Sequence, residues 1–191
     1  MNTTYDGDEP MEGKDIVVRE SLVAGALACL FGLAACDGAR DFLYRDAAPP
    51  PTAEEVAPHY VAHGGLLGIE LNGNVVELTV RQPYDHLQRG GSLWARVGPY
   101  VYLFTPATRD VFSDFPGVAA VRVITVAPDG AEVARAMLHR DALSDMHWRR
   151  SLNILGHALK DGQKSPRRLE MLTDWGEAHT DFRYNPEFVN R

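Results

Sequence analysis

From Ser21 to Cys36 the chain reads SLVAGALACLFGLAAC, an apolar run with no charged side chain. A helix rises ~1.5 Å per residue, so Ser21 to Ala35 covers roughly 22 Å, short of the ~30 Å hydrocarbon core of a bilayer. That length suits the apolar centre of a secretory leader better than a membrane span. Small residues crowd its end, where a leader peptidase requires a slim, extended substrate. The run therefore sets the compartment expected for everything that follows it.

Leu33-Ala34-Ala35-Cys36 resembles the lipobox of bacterial lipoproteins, whose pattern is a branched apolar residue, two small residues and a cysteine. The resemblance implies that Cys36 receives a diacylglyceryl thioether, that the leader is cut before it, and that the new amino group is acylated. Asp37 follows directly, and an acidic second residue resembles the signal that retains lipoproteins of enteric bacteria in the inner membrane. A different reading rests on the residues before the run. They are acidic (Asp6, Asp8, Glu9, Glu12, Asp15 and Glu20 against Lys14 and Arg19), whereas a signal n-region is basic. In an uncleaved anchor, Ile16 to Val18 extend the helix and Arg19 and Glu20 snorkel to the interface. A third reading makes the run a buried core helix. The first two place the domain on the periplasmic face of a bacterial inner membrane, with membrane lipid as its first partner.

Residues 1–36 are thus the signal or anchor segment and 37–51 a linker whose three prolines, Pro49 to Pro51, favour stiff polyproline II. A globular domain is expected over 52–178 and a tail over 179–191. Net charge is -7, with 26 acidic and 19 basic side chains, which disfavours nucleic acid as a partner. Cys29 and Cys36 are the two cysteines of the chain, so the domain has neither a disulfide nor a thiolate ligand.

Within the domain, Thr52 and Glu55 form a capping-box pattern that starts a helix to about Ala62, with Pro58 inside it. Leu66 to Leu71 and Val75 to Arg81 flank Asn72-Gly73-Asn74, a hairpin signal; Val76, Leu78 and Val80 alternate with Glu77, Thr79 and Arg81. Pro83 to Gly91 reads as a turn or a single helical turn. Ser92 to Val97 and Tyr100 to Phe104 read as extended, broken at Gly98-Pro99. Thr105-Pro106 opens a helix that Pro116-Gly117 ends. Val118 to Ala127 and Ala131 to His139 flank Pro128-Asp129-Gly130 as a second hairpin. Asp141 or Ser144 caps a helix to Lys160 with Met146, Leu152, Leu155 and Leu159 on one side, and Ser165-Pro166 opens another to about Trp175. The expected fold is α+β: an antiparallel sheet of four to six strands built from hairpins, with helices on one face, preceded by the N-terminal hydrophobic anchor helix.

The chain carries no phosphate loop, dinucleotide fingerprint, HExxH, GxSxG or CxxC, so no catalytic residue, cofactor or metal is assigned. Glu55, His59 and His63 share a helix face at metal-ligand spacing, and Asp85-His86, Asp145/His147 and His179/Asp181 place carboxylates near imidazoles. Roles for such pairs depend on geometry in space. The leading expectation is a membrane-tethered, extracytoplasmic protein-binding domain, an accessory or assembly subunit of a bacterial membrane complex of respiratory or photosynthetic type. Its candidate partner contacts are Phe42, Leu43 and Tyr44 in the linker and Phe182, Tyr184 and Phe188 in the tail. Two alternatives stand beside it. One is a small-molecule or envelope-polymer binding lipoprotein whose Trp94, Tyr100, Tyr102 and Phe104 line a cleft. The other is a hydrolase or metalloenzyme, which requires histidines and a carboxylate to converge.

Overall fold

The first helix, α1 (Ala53–Tyr60), starts where the sequence predicts. Thr52 Oγ1 accepts from the Glu55 amide, and the Glu55 carboxylate accepts from the Thr52 amide at 2.7 Å. Val56 and Tyr60 turn inward from it. This computed structural model describes residues 48–83, 85, 87 and 91–190. The leader with Cys36, and Phe42, Leu43 and Tyr44, lie outside the described residues. Ala47–Arg191 forms one compact unit, to which the tail contributes a strand and a short helix.

Strands β1 (Leu66–Asn72) and β2 (Val75–Arg81) form the first hairpin, closed at Gly73 with a φ of 65° that suits glycine. Val76, Leu78 and Val80 are buried, as their alternation requires. On β1 the register shifts between Leu66 and Gly68. The extra residue lets Leu66 and Ile69 both oppose buried residues of β2 while Leu67 stays exposed.

Helices α2 (Gly91–Val97), α3 (Tyr100–Leu103) and α4 (Pro106–Asp114) then carry the chain to β3 (Ala120–Val126), which pairs with β4 (Glu132–His139) as the second hairpin. A 3₁₀ turn, Arg140–Ala142, leads into α5 (Asp145–Asp161) and α6 (Pro166–His179). Strand β5 (Asp181–Tyr184) and α7 (Pro186–Val189) complete the order.

The five strands lie in the order β1-β2-β3-β4-β5, and β2 pairs with β3 in parallel while the other neighbours are antiparallel. The sheet is therefore mixed, which corrects the expectation of an antiparallel one. The cause lies in α2 and α3, the segment that sequence composition marks as extended. Strands there would have continued a meander. As helices they form a crossover, and a crossover returns the next strand parallel to the last. Their spacing explains the outcome: Tyr100, Leu103 and Phe104 stand at i, i+3 and i+4, and each is fully buried. Burying that stripe outweighs the β-propensity of tyrosine, valine and phenylalanine.

One large apolar cluster joins the inward residues of β2 and β3 to α1, α3, α4, α5 and α6, so these helices share one face of the sheet. The other face carries paired charges, including Arg122–Glu77 at 2.9 Å across β3 and β2. On α5 the buried stripe is Trp148, Ser151, Ile154, Leu155 and Ala158, whereas Met146 and Leu159 are exposed. The stripe is displaced because small Ser151 and Ala158 face inward, and the Ser151 hydroxyl receives the Trp175 indole N–H from α6 at 2.8 Å.

Candidate functional site: a cleft at the ends of β2 and β3

A cleft of about 200 Å³ opens beyond the carboxyl ends of the two parallel strands. In open sheets, the space outside the carboxyl ends of parallel strands is where ligands are most often held. Val80 to Pro83 of β2 and the turn after it, with Thr125 of β3, form one wall; Trp94, Gly98, Val101 and Tyr102 of α2 and α3 form another, and Leu159 and Gln163 close the end. The wall is mostly apolar. Among the described lining residues, Arg81 carries the only formal charge at neutral pH, and it is exposed.

Gln82 gives the cleft its chemistry. Its amide N–H donates to Val126 O at 2.8 Å, fastening the end of β2 to β3. The residue is 4% exposed; Nε2 donates to Trp94 O, while Oε1 has no hydrogen-bond partner. An unpaired buried acceptor costs about 1–3 kcal/mol. Gly98 makes room for this arrangement, since a Cβ there would stand 2.9 Å from Gln82 Oε1 and 3.1 Å from the Thr125 methyl carbon. Tyr102 is fixed through its hydroxyl, which donates to Gly64 O, and partial burial raises its pKa. His63 lies between Tyr60 and Tyr102 with its ring tilted to both, the centroids 6.0 and 5.9 Å away, and burial lowers its pKa.

Two of the four aromatic rings expected to line a cleft do so, Trp94 and Tyr102, whereas Tyr100 and Phe104 are in the core. Sequence reasoning missed Gln82, although a signal was there. Val76, Leu78 and Val80 point inward, and the same two-residue period puts Gln82 on the inward face, where a polar side chain is out of place.

The tail residues are distributed differently. Tyr184 lies under α6, its hydroxyl 2.6 Å from that of Tyr100 and 3.0 Å from Glu177 Oε1, to which it donates. Arg96 of α2 pairs with the same carboxylate and stacks over the Tyr184 ring. Burial, with the neighbouring Tyr100 and Glu177, drives the Tyr184 pKa far up, and burial pushes Tyr100 up to about 12. Phe188 is half-buried against Ala95, Ala127, Val133 and Ala134. Phe182 remains 43% exposed on β5, an edge strand of the sheet.

Among the described residues the histidines fall at several separate places, with His147 and His179 together. His59 faces Asp114 at 3.6 Å, away from His63, and His86 lies outside the described residues. His179 turns Nδ1 to Trp175 O and stacks on that indole, with His147 edge-on to both. Asp181 takes His139 as its partner at 2.9 Å, and both are exposed. Among the described residues no group of three or more His, Cys, Asp or Glu is arranged to hold a metal, and no helix is long and apolar enough to cross a membrane.

Fold and cleft together define a mixed-sheet α+β domain with a mostly apolar recess and a buried polar atom in its wall. No family model matches the chain, and no curated protein or solved structure shows significant similarity to it.

Proposed function

We propose that this domain binds a small, largely apolar molecule in the cleft between Trp94 and Tyr102, and that its N-terminal segment holds it at the periplasmic face of a bacterial inner membrane. The observation that carries the binding reading is the Gln82 acceptor, buried without a partner in the wall of a 200 Å³ recess. A cavity of about 150 Å³ already accepts benzene. The apolar lining supplies affinity and the amide supplies orientation, the usual division of labour in a small-molecule site. Support for the tether comes from the apolar run that ends in Leu33-Ala34-Ala35-Cys36.

Chemical-shift mapping of the full chain with a panel of one- and two-ring fragments tests the binding reading. Shifts concentrated at the Gln82 side-chain amide, the Trp94 indole and the Gly98 amide are expected; a panel that moves none of them sinks it. Intact mass of the membrane-extracted protein tests the tether, since an acylated chain starting at Cys36 and a chain retaining Met1 differ by kilodaltons.

A second reading, an accessory subunit of a membrane complex, draws on Phe182, whose exposed ring sits on an edge strand that a partner strand can extend. Copurification from solubilised membranes that survives in wild type and is lost in Phe182→Ser supports it; a monomer that retains nothing counts against it.

A further inference from the structure

The cleft reading leaves the chemistry of the occupant open, and the wall narrows it. We infer that the cleft selects a ring bearing an N–H or O–H donor over the same ring without one, an inference that rests on the cleft being the binding site. The orientation of the Gln82 amide is fixed by its neighbour. Nε2 meets Trp94 O, and exchanging the two ends would set oxygen against oxygen, so the end turned toward Gly98 and the cleft wall is an acceptor.

The hydroxyls of the wall have no proton to spare for it. Thr125 Oγ1 donates to Ala134 O at 3.2 Å, and Tyr102 donates to Gly64 O. The donor this inference calls for is supplied by what enters the cleft. Gly98 lies against Oε1, so binding requires a turn about the broad terminal torsion of Gln82 that brings the oxygen past Gly98 to the donor. Trp94 and Tyr102 offer ring surfaces, and Val80 and Val101 add aliphatic contact. A fused two-ring heterocycle such as indole meets both requirements, a flat apolar body and a single donor on its edge.

Indole and benzofuran have nearly the same shape and differ in N–H against ring oxygen, so they separate the donor from the cavity. Each is titrated into the full chain and again into Gln82→Met, with affinity read in both from the shift of the Gly98 amide. Roughly tenfold tighter binding of indole is expected in wild type, the size of one neutral hydrogen bond in a desolvated site. In Gln82→Met that preference is expected to vanish, with benzofuran bound as well as before or better. Equal affinities in wild type overturn the donor inference and leave the cleft standing. Binding of neither probe overturns the cleft reading, and the inference with it. Persistence of the indole preference in Gln82→Met also overturns the inference, because the donor would then be paired elsewhere. The wild-type comparison needs no variant, so a Gln82→Met protein that fails to fold leaves the inference exposed to refutation.

Discussion

Helices α2 and α3 face two neighbours, and the two sides treat their polar atoms differently. Toward α6 and β5, Tyr100, Tyr184, Glu177 and Arg96 form a closed set in which each hydroxyl and the shared carboxylate have partners. Toward β2, Trp94, Tyr102 and Gln82 surround an open recess, and Gln82 Oε1 is left unpaired. Both sides use aromatic rings from the same short segment. The first behaves as a clasp that joins the tail to the helices. The second is the place where the fold stops short of filling itself.

Breaking the clasp should cost most. Gly176 of α6 lies against the buried Tyr100 ring, and a Cβ there would overlap its edge. Gly176→Ala is expected to lower stability by about 2–3 kcal/mol in urea unfolding, because overpacking exceeds the ~1 kcal/mol that alanine gains in helix propensity. A neutral or stabilising result would mean that the clasp is loosely packed.

High pH attacks the same region without a mutation, together with the buried Tyr60 of α1, whose pKa burial also raises. Burial raises Tyr100 to about 12 and Tyr184 further, so the folded state holds their protons while the unfolded chain releases them near pH 10. The stabilisation is fully present below pH 10 and is lost as pH rises toward the folded values, at up to about 1.4 kcal/mol per pH unit for each ring. Phenolate absorbance should lag the exposed tyrosines and appear together with unfolding. Early, reversible titration of all seven tyrosines would contradict the burial of these hydroxyls.

Tyr184→Phe removes the hub hydroxyl and leaves Tyr100 and Glu177 to find other partners. A loss of about 1–2 kcal/mol is expected, smaller than for Gly176→Ala because the ring still packs. The alkaline loss should shrink in that variant. Gln82→Met sharpens the contrast from the cleft side. It deletes an unpaired acceptor, and Trp94 O keeps the Gly98 amide as a donor at 3.2 Å. Its stability should therefore change by no more than about 0.5–1 kcal/mol, in the stabilising direction if at all. A loss comparable to that of Tyr184→Phe would show that the Gln82 amide serves the fold rather than a ligand.

Much of the sheet, and several of the helix starts, were legible in the residues themselves. Alternation in Val76, Leu78 and Val80, the Asn72-Gly73 turn, and the Thr52 and Thr105-Pro106 helix starts each act through local chemistry, and each stands where its pattern placed it. Ser165 shows the limit of that logic: α6 begins beside it, yet its hydroxyl makes no capping bond. What local chemistry could not fix was the state of Gly91 to Leu103, where tyrosine and valine favour strand and the i, i+3, i+4 spacing favours helix. Tertiary burial decided between them, and with that decision came the parallel pair and the recess at its end. Tyr184 and Phe188 read as candidate partner contacts because nothing in 179–191 has a period that separates a strap over the domain from an arm for a partner. Their anchoring points, Tyr100 and the alanines of α2 and β4, lie far away in the chain.

A crystal structure of the full chain soaked with indole puts the contrast between clasp and cleft to its most direct test. The ring should lie between Trp94 and Tyr102 with its nitrogen about 3 Å from Gln82 Oε1, while the Tyr100–Tyr184–Glu177 set is unchanged. Indole bound elsewhere, or Gln82 Oε1 already paired with a donor of the protein in a closed cleft, would contradict the account.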